Sequence, residues 1–435
     1  MKRPHVVLVM CDQMQYQRQG TVDPLAYTPN LDRLSKEGVF FSHFYASNGQ
    51  CVPSRASIQT GLYPHEAEVM IIQGFHGHTA RLTGEDRTMG HVFRDAGYTT
   101  AYFGKCHFRT PQEELGYDHG GVGDRAQHPL SEGDRRIADA ALAYLDSYDP
   151  DRPLFLTASF HMPHPPFEAI EAFLPQYPKG DLTLPESFLK DDLTGKPQFL
   201  QDHIRDGQHG ALDEADLKDE LQRYYTMISE VDRLFGLLRG ALEAKGMWED
   251  SVVAFTTDHG DMMGAHRMRK KGTIPYDEIF HIPMIFRFPR LDPPRRVVDD
   301  LAVNVSLPGT LIEAAGLEVP AEFRGGSLMP AIGREAHPKD EMIFYEHYGA
   351  YWGIHPFRVV QTREWKYVKY YGPDDTEELY NLKTDPAEVE NLAGDPAAEQ
   401  TRSFLEEAVD RWWRETGGKP FEYYESDAFK SSGTA

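Results

Sequence analysis

The alternation of short apolar runs with longer amphipathic stretches constrains the fold of this chain more than any other feature. Across the first two-thirds of its 435 residues, runs rich in β-branched and aromatic residues alternate with stretches of helical periodicity, as in α/β folds. From about residue 335, short apolar runs follow one another directly, which indicates antiparallel strands. We therefore predict an α/β domain in residues 1–335, with a large mixed, mostly parallel sheet flanked by helices, and a smaller C-terminal α+β subdomain in residues 336–435.

The boundaries of the predicted elements follow from the same patterns and from capping residues. Strands are predicted at 5–11, 99–103, 154–159, 251–257, 282–288, 342–348, 357–362 and 366–371. Helices are predicted between Thr28 and Gly38 and at 56–61, 89–96, 137–147, 213–245, 307–315 and 402–414.

Four of the predicted strands run directly into side chains that can bind metals or transfer protons. The first strand ends at Asp12, and the strand at 251–257 ends at Asp258 and His259. The strands at 99–103 and 154–159 are each followed by two such residues, namely Lys105 and His107, and His161 and His164. Ligands of open α/β sheets lie outside the carboxyl ends of the strands, so we expect these side chains to share one site.

The charge balance restricts the class of partner. The chain has 45 basic and 68 acidic residues, a net charge of −23, which argues against nucleic-acid binding. An anionic substrate would need a local positive site, because the field of the whole protein opposes its approach. No apolar run is long enough for a signal peptide or a membrane span, so we expect a cytoplasmic protein without a membrane partner. A homo-oligomer is compatible with this composition.

The three cysteines, Cys11, Cys51 and Cys106, suggest neither a disulfide framework nor a zinc motif. Cys51 begins the segment Cys-Val-Pro-Ser-Arg just before the helix predicted at 56–61. A thiol near a helix N-terminus with Arg55 close by would have a lowered pKa, so a thiolate nucleophile is one interpretation. A buried, inert cysteine is the other, and it is the interpretation that we give to Cys11 and Cys106.

The segment from Cys51 to Arg55 resembles the signature of the type I sulfatases, members of the alkaline phosphatase superfamily. In that family the cysteine is oxidised to formylglycine by a maturation enzyme, which would be a partner of this chain. Further motifs occur in the family's order along nearly the whole sequence: Asp12-Gln13, 28–32, 60–65, 104–107, 163–167, 258–261, Lys271, 276–278 and 378–382.

The resemblance implies that the residue at position 51, Asp12, Gln13, Asp258 and His259 hold one divalent metal ion. Carboxylate and amide oxygens suit Ca²⁺ or Mg²⁺, and the imidazole shifts the preference toward Mn²⁺. The family usually holds Ca²⁺. Gln13 stands where many sulfatases carry Asp, which removes one negative charge from the metal site.

The same resemblance implies that Cys51 and Arg55 act in catalysis, together with Lys105, His107, His164 and Lys271. The hydrated aldehyde would attack the sulfur of a small-molecule sulfate ester, and His164 or Lys271 would protonate the leaving alcohol. His107 would then deprotonate the second hydroxyl so that sulfate is expelled. Lys105, His164 and Lys271 would also bind the substrate. We interpret His161 and His266 as structural.

Three alternatives stay open. Phosphonate monoester and phosphodiester hydrolases of the superfamily share Asp12-Gln13 and Asp258-His259, although Gly104-Lys105-Cys106-His107 has the sulfatase form. A hydrolase with an unmodified Cys51 thiolate is the second alternative, and a non-catalytic anion-binding homologue is the third. The segment 303–310 departs from the family, since Ser306 replaces an Asp.

Overall fold

An eight-stranded sheet forms the centre of the larger part of the computed structural model, which describes residues 3–79, 81–123, 128–205, 213–289, 296–333, 341–351, 353–374 and 376–431. The strands of all the sheets in the described residues are β1 (His5–Cys11), β2 (Val39–Phe41), β3 (Phe44–Tyr45), β4 (Thr99–Gly104), β5 (His119–Gly120), β6 (Leu154–Ser159), β7 (Ser251–Thr257), β8 (Met284–Arg287), β9 (Arg296–Val298), β10 (Ala302–Val303), β11 (Ile343–Ala350), β12 (Gly353–Gln361), β13 (Trp365–Tyr370) and β14 (Glu377–Asn381).

The α-helices lie between and beyond these strands. They are α1 (Pro29–Glu37), α2 (Cys51–Thr60), α3 (Met89–Asp95), α4 (Leu130–Ser147), α5 (Glu186–Lys190), α6 (Gln198–Arg205), α7 (Glu214–Ala244), α8 (Asp277–Phe280), α9 (Leu307–Ala314), α10 (Met329–Gly333), α11 (Glu399–Glu415), α12 (Phe421–Glu425) and α13 (Asp427–Lys430). Among the described residues, no helix is both long and apolar enough to cross a membrane.

The order of strands in the large sheet is β5-β4-β6-β1-β7-β8-β2-β9. Only β8 among them runs antiparallel to its two neighbours, so the prediction of a mixed, mostly parallel sheet is confirmed. The four strands β4, β6, β1 and β7 are consecutive and parallel. Their carboxyl ends therefore meet at one edge, and this is why the polar residues that follow them converge.

The core lies on both faces of this sheet. Alternate residues of β1 enter opposite clusters, Val6 and Leu8 on one face and Val7 and Val9 on the other. Helices α2, α3 and α9 contribute to the first cluster, and α4 and α7 to the second. Burial on both faces explains why the central strands are continuous apolar runs rather than alternating ones.

The C-terminal part is a four-stranded antiparallel sheet in the order β11-β12-β13-β14. Helix α11 packs on it, with Leu405 and Val409 in the same cluster as Val360 and Tyr367. Three of its strands were predicted, and β14 was not. The sequence of β14 is polar at its start, but Glu378 is buried there because it accepts hydrogen bonds from the hydroxyls of three tyrosines, Tyr276, Tyr370 and Tyr380.

Buried charged groups connect this sheet to the larger part of the chain. Lys366 of β13 lies 2.6 Å from Asp277 and 2.6 Å from Glu388, and its side chain is fully buried. Glu346 of β11 accepts hydrogen bonds from the backbone N–H and the ring of His65. The boundary predicted between residues 335 and 336 lies outside the described residues, and the division into two domains stays a prediction.

Replacing Lys366 by Met should lower the free energy of unfolding by about 3–5 kcal/mol, because two carboxylates would lose their buried cation. Urea unfolding followed by tryptophan fluorescence measures the change. Lys190→Met is the matched control, since Lys190 pairs with Glu186 at 2.5 Å on the surface, and this pair is worth less than about 1 kcal/mol. Equal effects of the two substitutions would contradict the assigned role of Lys366.

Candidate active site

Cys51 is the first residue of α2 and lies above the carboxyl edge of the sheet. The helix predicted at 56–61 therefore begins earlier than expected. Pro53 is compatible with this earlier start, because it falls in the first turn, where a missing N–H is tolerated. The side chain of Cys51 is 1% exposed. Its Sγ atom therefore faces the strand ends at the positive end of the helix dipole.

Side chains from three strand ends and one loop surround Cys51. Its Sγ atom lies 2.7 Å from Nζ of Lys271, 3.2 Å from Nε2 of His259 and 3.7 Å from Oδ1 of Asp12. Nζ of Lys105 is 3.7 Å away and contacts the carboxylate of Asp12. The structure thus brings together residues that are up to 259 positions apart between Asp12 and Lys271.

Four of these residues could hold a metal ion. One ligand atom each of Asp12, Cys51, Asp258 and His259 lies within 4.8 Å of the others. The two carboxylates are fully buried, and a cation between them would offset the free-energy cost of burying their charges. Oδ1 of Asp258 is 3.7 Å from Nε2 of His259. Two carboxylates, an imidazole and the nearby amide oxygen of Gln13 fit a hard or borderline divalent ion.

Arg55 connects α2 to three strand ends, those of β7, β4 and β6. Its Nε donates to Oδ2 of Asp258 at 2.7 Å, and its Nη1 donates to the carbonyl of Lys105 at 2.6 Å and to Ser159 at 2.9 Å. Burial by itself would raise the pKa of Asp258, but Arg55, His259 and the two lysines outweigh it and hold this pKa well below its usual range. Asp258 is therefore a carboxylate under all working conditions.

The amide of Gln13 has a defined orientation. Its Nε2 donates to the buried carboxylate of Asp261, so its Oε1 faces the centre and accepts from Nζ of Lys271 at 2.7 Å. A carboxylate at position 13 would meet that of Asp261 at hydrogen-bond distance. The amide that replaces the family's usual Asp is thus explained by its partner, which the sequence analysis did not identify as a site residue.

A cleft of about 680 Å³ reaches the centre from one side. Lys105, His107, His161 and His164 line it. His161, interpreted as structural, is held by Asp134 at 3.1 Å, yet its ring also forms part of this wall. No sequence motif marked Asp134 as its partner.

The imidazoles of His107 and His164 are uncharged at neutral pH. Burial and the nearby Lys105 keep the pKa of His107 well below its usual value, and burial and Lys271 do the same for His164. Nδ1 of His164 lies 2.5 Å from the carbonyl of Pro165. A carbonyl only accepts, so Nδ1 carries the proton and Nε2 is left as an acceptor.

Other residues considered in the sequence lie outside the centre. Nδ1 of His266 donates to the carboxylate of Asp191 at 2.6 Å, and its ring stacks on Tyr276, which agrees with a structural role. The segment 303–310 supports α2, because Asn304 donates to the hydroxyl of Ser54 at 2.8 Å. The hydroxyl of Ser306 donates to the backbone carbonyl of Val303 within that segment.

The environment of Cys51 does not favour a thiolate. Burial raises the pKa of its thiol even though Lys271 acts in the opposite direction. A cysteine nucleophile requires a lowered pKa and some exposure. Cys11 and Cys106 are buried in the two hydrophobic clusters on either face of the sheet.

Comparison with known proteins gives family matches over most of the chain. The model of the family described as "Sulfatase" matches residues 4–317, and that described as "N-sulphoglucosamine sulphohydrolase, C-terminal" matches residues 264–415. An N-acetylglucosamine-6-O-sulfatase of Bacteroides thetaiotaomicron is 25% identical over 90% of this chain and 83% of that protein.

Solved structures share the fold. A protein solved in complex with its substrate D-glucosamine-2-N,6-O-disulfate has a TM-score of 0.82 and 22% identity, and the match covers 99% of this chain and 100% of that one. The phosphonate monoester hydrolase of Agrobacterium radiobacter has a TM-score of 0.80 and 22% identity, with 97% of each chain covered. At these identities the likeness concerns the fold alone.

Thiol labelling checks the burial of the cysteines. In the native protein we expect no rapid reaction with a disulfide reagent, because Cys11, Cys51 and Cys106 are at most 2% exposed. In denaturant an unmodified chain should yield three thiols. Rapid labelling of Cys51 in the native state, identified by peptide mapping, would restore the thiolate interpretation.

Proposed function

This chain belongs to the sulfatase family, and we propose that it hydrolyses a sulfate ester to an alcohol and inorganic sulfate, with a nucleophile made from Cys51 and one divalent metal ion. One observation carries the proposal above the others. The Sγ atom of Cys51, in the family's motif, lies among Lys271, His259 and Asp12 rather than in the hydrophobic core. The combination of a metal-ligand group with buried cations suits a tetrahedral anion.

Formylglycine at position 51 would supply a geminal diol, one hydroxyl for attack on sulfur and a second whose deprotonation releases sulfate. In the structure, the Sγ atom of Cys51 stands in for the oxygens of that diol. Lys271 at 2.7 Å and His259 at 3.2 Å lie at hydrogen-bond distance from this atom, and Asp12 and Lys105 lie 3.7 Å from it. Position 51 is held in place because it begins α2, and Arg55 one turn later anchors that helix to Asp258.

Asp12, Gln13, Asp258 and His259 would hold the metal ion, which would stabilise negative charge on the sulfate oxygens. The oxygen-rich ligand set favours Ca²⁺, and the imidazole leaves Mn²⁺ and Mg²⁺ as alternatives. Asp12 also contacts Lys105, so the ligand carboxylate and a substrate-binding cation are positioned together.

Lys105 and Lys271 would bind the sulfate group from two sides of position 51, at 3.7 Å and 2.7 Å from its Sγ atom. Lys271 is also the better proton donor to the leaving alcohol. His164 is uncharged and its one ring proton is committed to the carbonyl of Pro165, whereas an ammonium group has three donors. His164 would then accept a hydrogen bond at Nε2, and the uncharged ring of His107 would accept the proton of the second hydroxyl.

The names of relatives suggest the substrate class. Two relatives have names that contain a carbohydrate. One is the N-acetylglucosamine-6-O-sulfatase, and the other is an ulvan-active sulfatase of Formosa agariphila, which is 27% identical over 97% of this chain. We therefore propose a sulfated carbohydrate as the first substrate to test. Phosphonate monoester hydrolysis is the second candidate. His259 belongs to the metal group and Gln13 lies beside it, and the sequence resemblance implies Asp-Gln and Asp-His as the forms of those hydrolases.

Peptide mass analysis of the fragment bearing Cys51 should show a loss of about 18 Da, the difference between cysteine and formylglycine. Cys51→Ala should then abolish sulfate release while the circular dichroism spectrum is unchanged. Cys11→Ala is the matched control and should keep its activity, since Cys11 packs against Met14 in the core. Full activity of a chain with an unmodified Cys51 would disprove the nucleophile, and faster cleavage of an aryl phosphonate than of an aryl sulfate would favour the second candidate.

Dialysis against a chelator should abolish activity and lower the melting temperature, since an ion that binds only the folded state contributes about 2.7 kcal/mol at a concentration of 100 times its Kd. Adding back Ca²⁺, Mn²⁺ or Mg²⁺ separately should identify the ion by its effect on both quantities. Asp12→Asn should weaken this metal-dependent rise in melting temperature. Unchanged activity and melting temperature in chelator would contradict a metal site.

A further inference from the structure

A second cleft, of about 640 Å³, opens onto the same centre from the other side of His164 and Pro165. Gln13 and Lys271 line it, and Lys271 lies 2.7 Å from the Sγ atom of Cys51. A molecule whose sulfate is bound at position 51 can therefore extend into this cleft. We call it the basic cleft, for the residues that form its remaining wall.

Three further cations line the basic cleft, Arg223 of α7 and Arg269 and Lys270 of the loop after β7, against one carboxylate, Glu220. Arg269 pairs with Glu220 at 3.1 Å. Within the described ranges, no carboxylate lies within ion-pair distance of Arg223 or Lys270. The wall thus presents two cations outside any ion pair, beside the paired Arg269, in a protein whose net charge is −23.

The loop that carries Arg269 and Lys270 has a strained backbone. Four of its non-glycine residues have a positive φ: Met263 at 42°, His266 at 50°, Arg267 at 59° and Lys270 at 65°. Such conformations cost about 1–3 kcal/mol each and persist only where the surroundings enforce them. Here Asp261 accepts hydrogen bonds from the backbone N–H of Met263 at 2.9 Å and of Lys270 at 3.1 Å.

This conformation determines where the cations point. Arg269, Lys270 and Lys271 are consecutive, so their charges repel one another. Lys271 is buried against Cys51, while Lys270 is exposed on the wall of the basic cleft. An anion bound between Arg223 and the cations of this loop would explain why the strained loop keeps adjacent cations beside the reaction centre.

The basic cleft also has apolar surfaces, Pro166, Phe167 and Tyr351. Such surfaces suit the faces of a sugar or aryl ring, so the cleft fits an organic anion better than a bare inorganic one. The first cleft differs from it, because beyond the centre the described residues of its lining include four imidazoles and a single arginine, Arg109.

We propose that the substrate carries, besides the sulfate that is hydrolysed, a second anionic group, a carboxylate or another sulfate, which Arg223 and Lys270 bind in the basic cleft. This inference rests on the proposed function and narrows its substrate class to dianionic sulfate esters. It also answers the electrostatic problem of an acidic protein, since a local cluster can attract what the net charge repels.

Matched aryl sulfates test the proposal. The charged members are 4-carboxyphenyl sulfate and the longer 4-(2-carboxyethyl)phenyl sulfate, and the uncharged members are their carboxamides. For at least one pair, the matured enzyme should have a KM about tenfold lower for the carboxylate, as expected for one charged hydrogen bond. Arg223→Ala and Lys270→Ala should each remove most of this difference by raising KM for the carboxylate, with kcat within about twofold.

Arg267→Ala is the control, because Arg267 is an exposed cation of the same loop that does not line the basic cleft. It should leave the KM ratio of each pair unchanged. Equal KM values for carboxylate and carboxamide in both pairs, or equal effects of Lys270→Ala and Arg267→Ala, would overturn the proposal.

Binding to the Cys51→Ala variant separates this inference from the proposed function. Calorimetry with the same four compounds should show tighter binding of a carboxylate than of its carboxamide, and the difference should disappear in Arg223→Ala. A chain that hydrolyses none of these sulfates but retains this preference would disprove sulfate ester hydrolysis and keep the anion site. A chain that hydrolyses the sulfates but binds carboxylate and carboxamide equally would support sulfate ester hydrolysis and disprove the anion site in the basic cleft.

Discussion

The buried ion pair between Arg55 and Asp258 is the interaction on which the rest of the site depends. It connects α2 to the end of β7, and Nη1 of the same guanidinium reaches Ser159 at the end of β6. The Nε and Nη1 atoms of one planar guanidinium thus set the position of Cys51 relative to the sheet edge. Because the pair is fully buried, loss of one partner would leave an uncompensated charge next to the nucleophile.

Around this pair, the site is organised as alternating charge. Asp12 contacts Lys105 and lies 3.9 Å from Lys271, Asp258 pairs with Arg55, and every one of these groups is buried. Such an arrangement is stable only if each charge has an opposite neighbour, and it leaves a small region that suits both a cation and an anion. The metal ion and the sulfate group of the proposed reaction would complete it rather than disturb it.

Gln13 shows how a departure from a family pattern can have a local physical cause. Its amide donates to Asp261 on one side and accepts from Lys271 on the other, which neither a carboxylate nor a hydrocarbon could do. Asp261 in turn holds the loop that carries Lys271. One buried carboxylate therefore positions both the amide of Gln13 and the loop that carries Lys271, and this second role was not visible in the motif that contains it.

The sequence by itself determined the fold class, the central strands and the residues that meet at the sheet edge, because apolar runs buried on both faces and polar strand ends are local patterns with a direct structural meaning. The start of α2 at Cys51, strand β14 and the wall position of His161 were decided only by tertiary structure. In each of these cases the deciding partner is distant in sequence: Asp258 for Arg55, Tyr276 for Glu378 and Asp134 for His161. The basic cleft depends on the fold in the same way, since Arg223 of α7 and Lys270 of the loop after β7 become neighbours of one cavity only when these two elements pack beside His164.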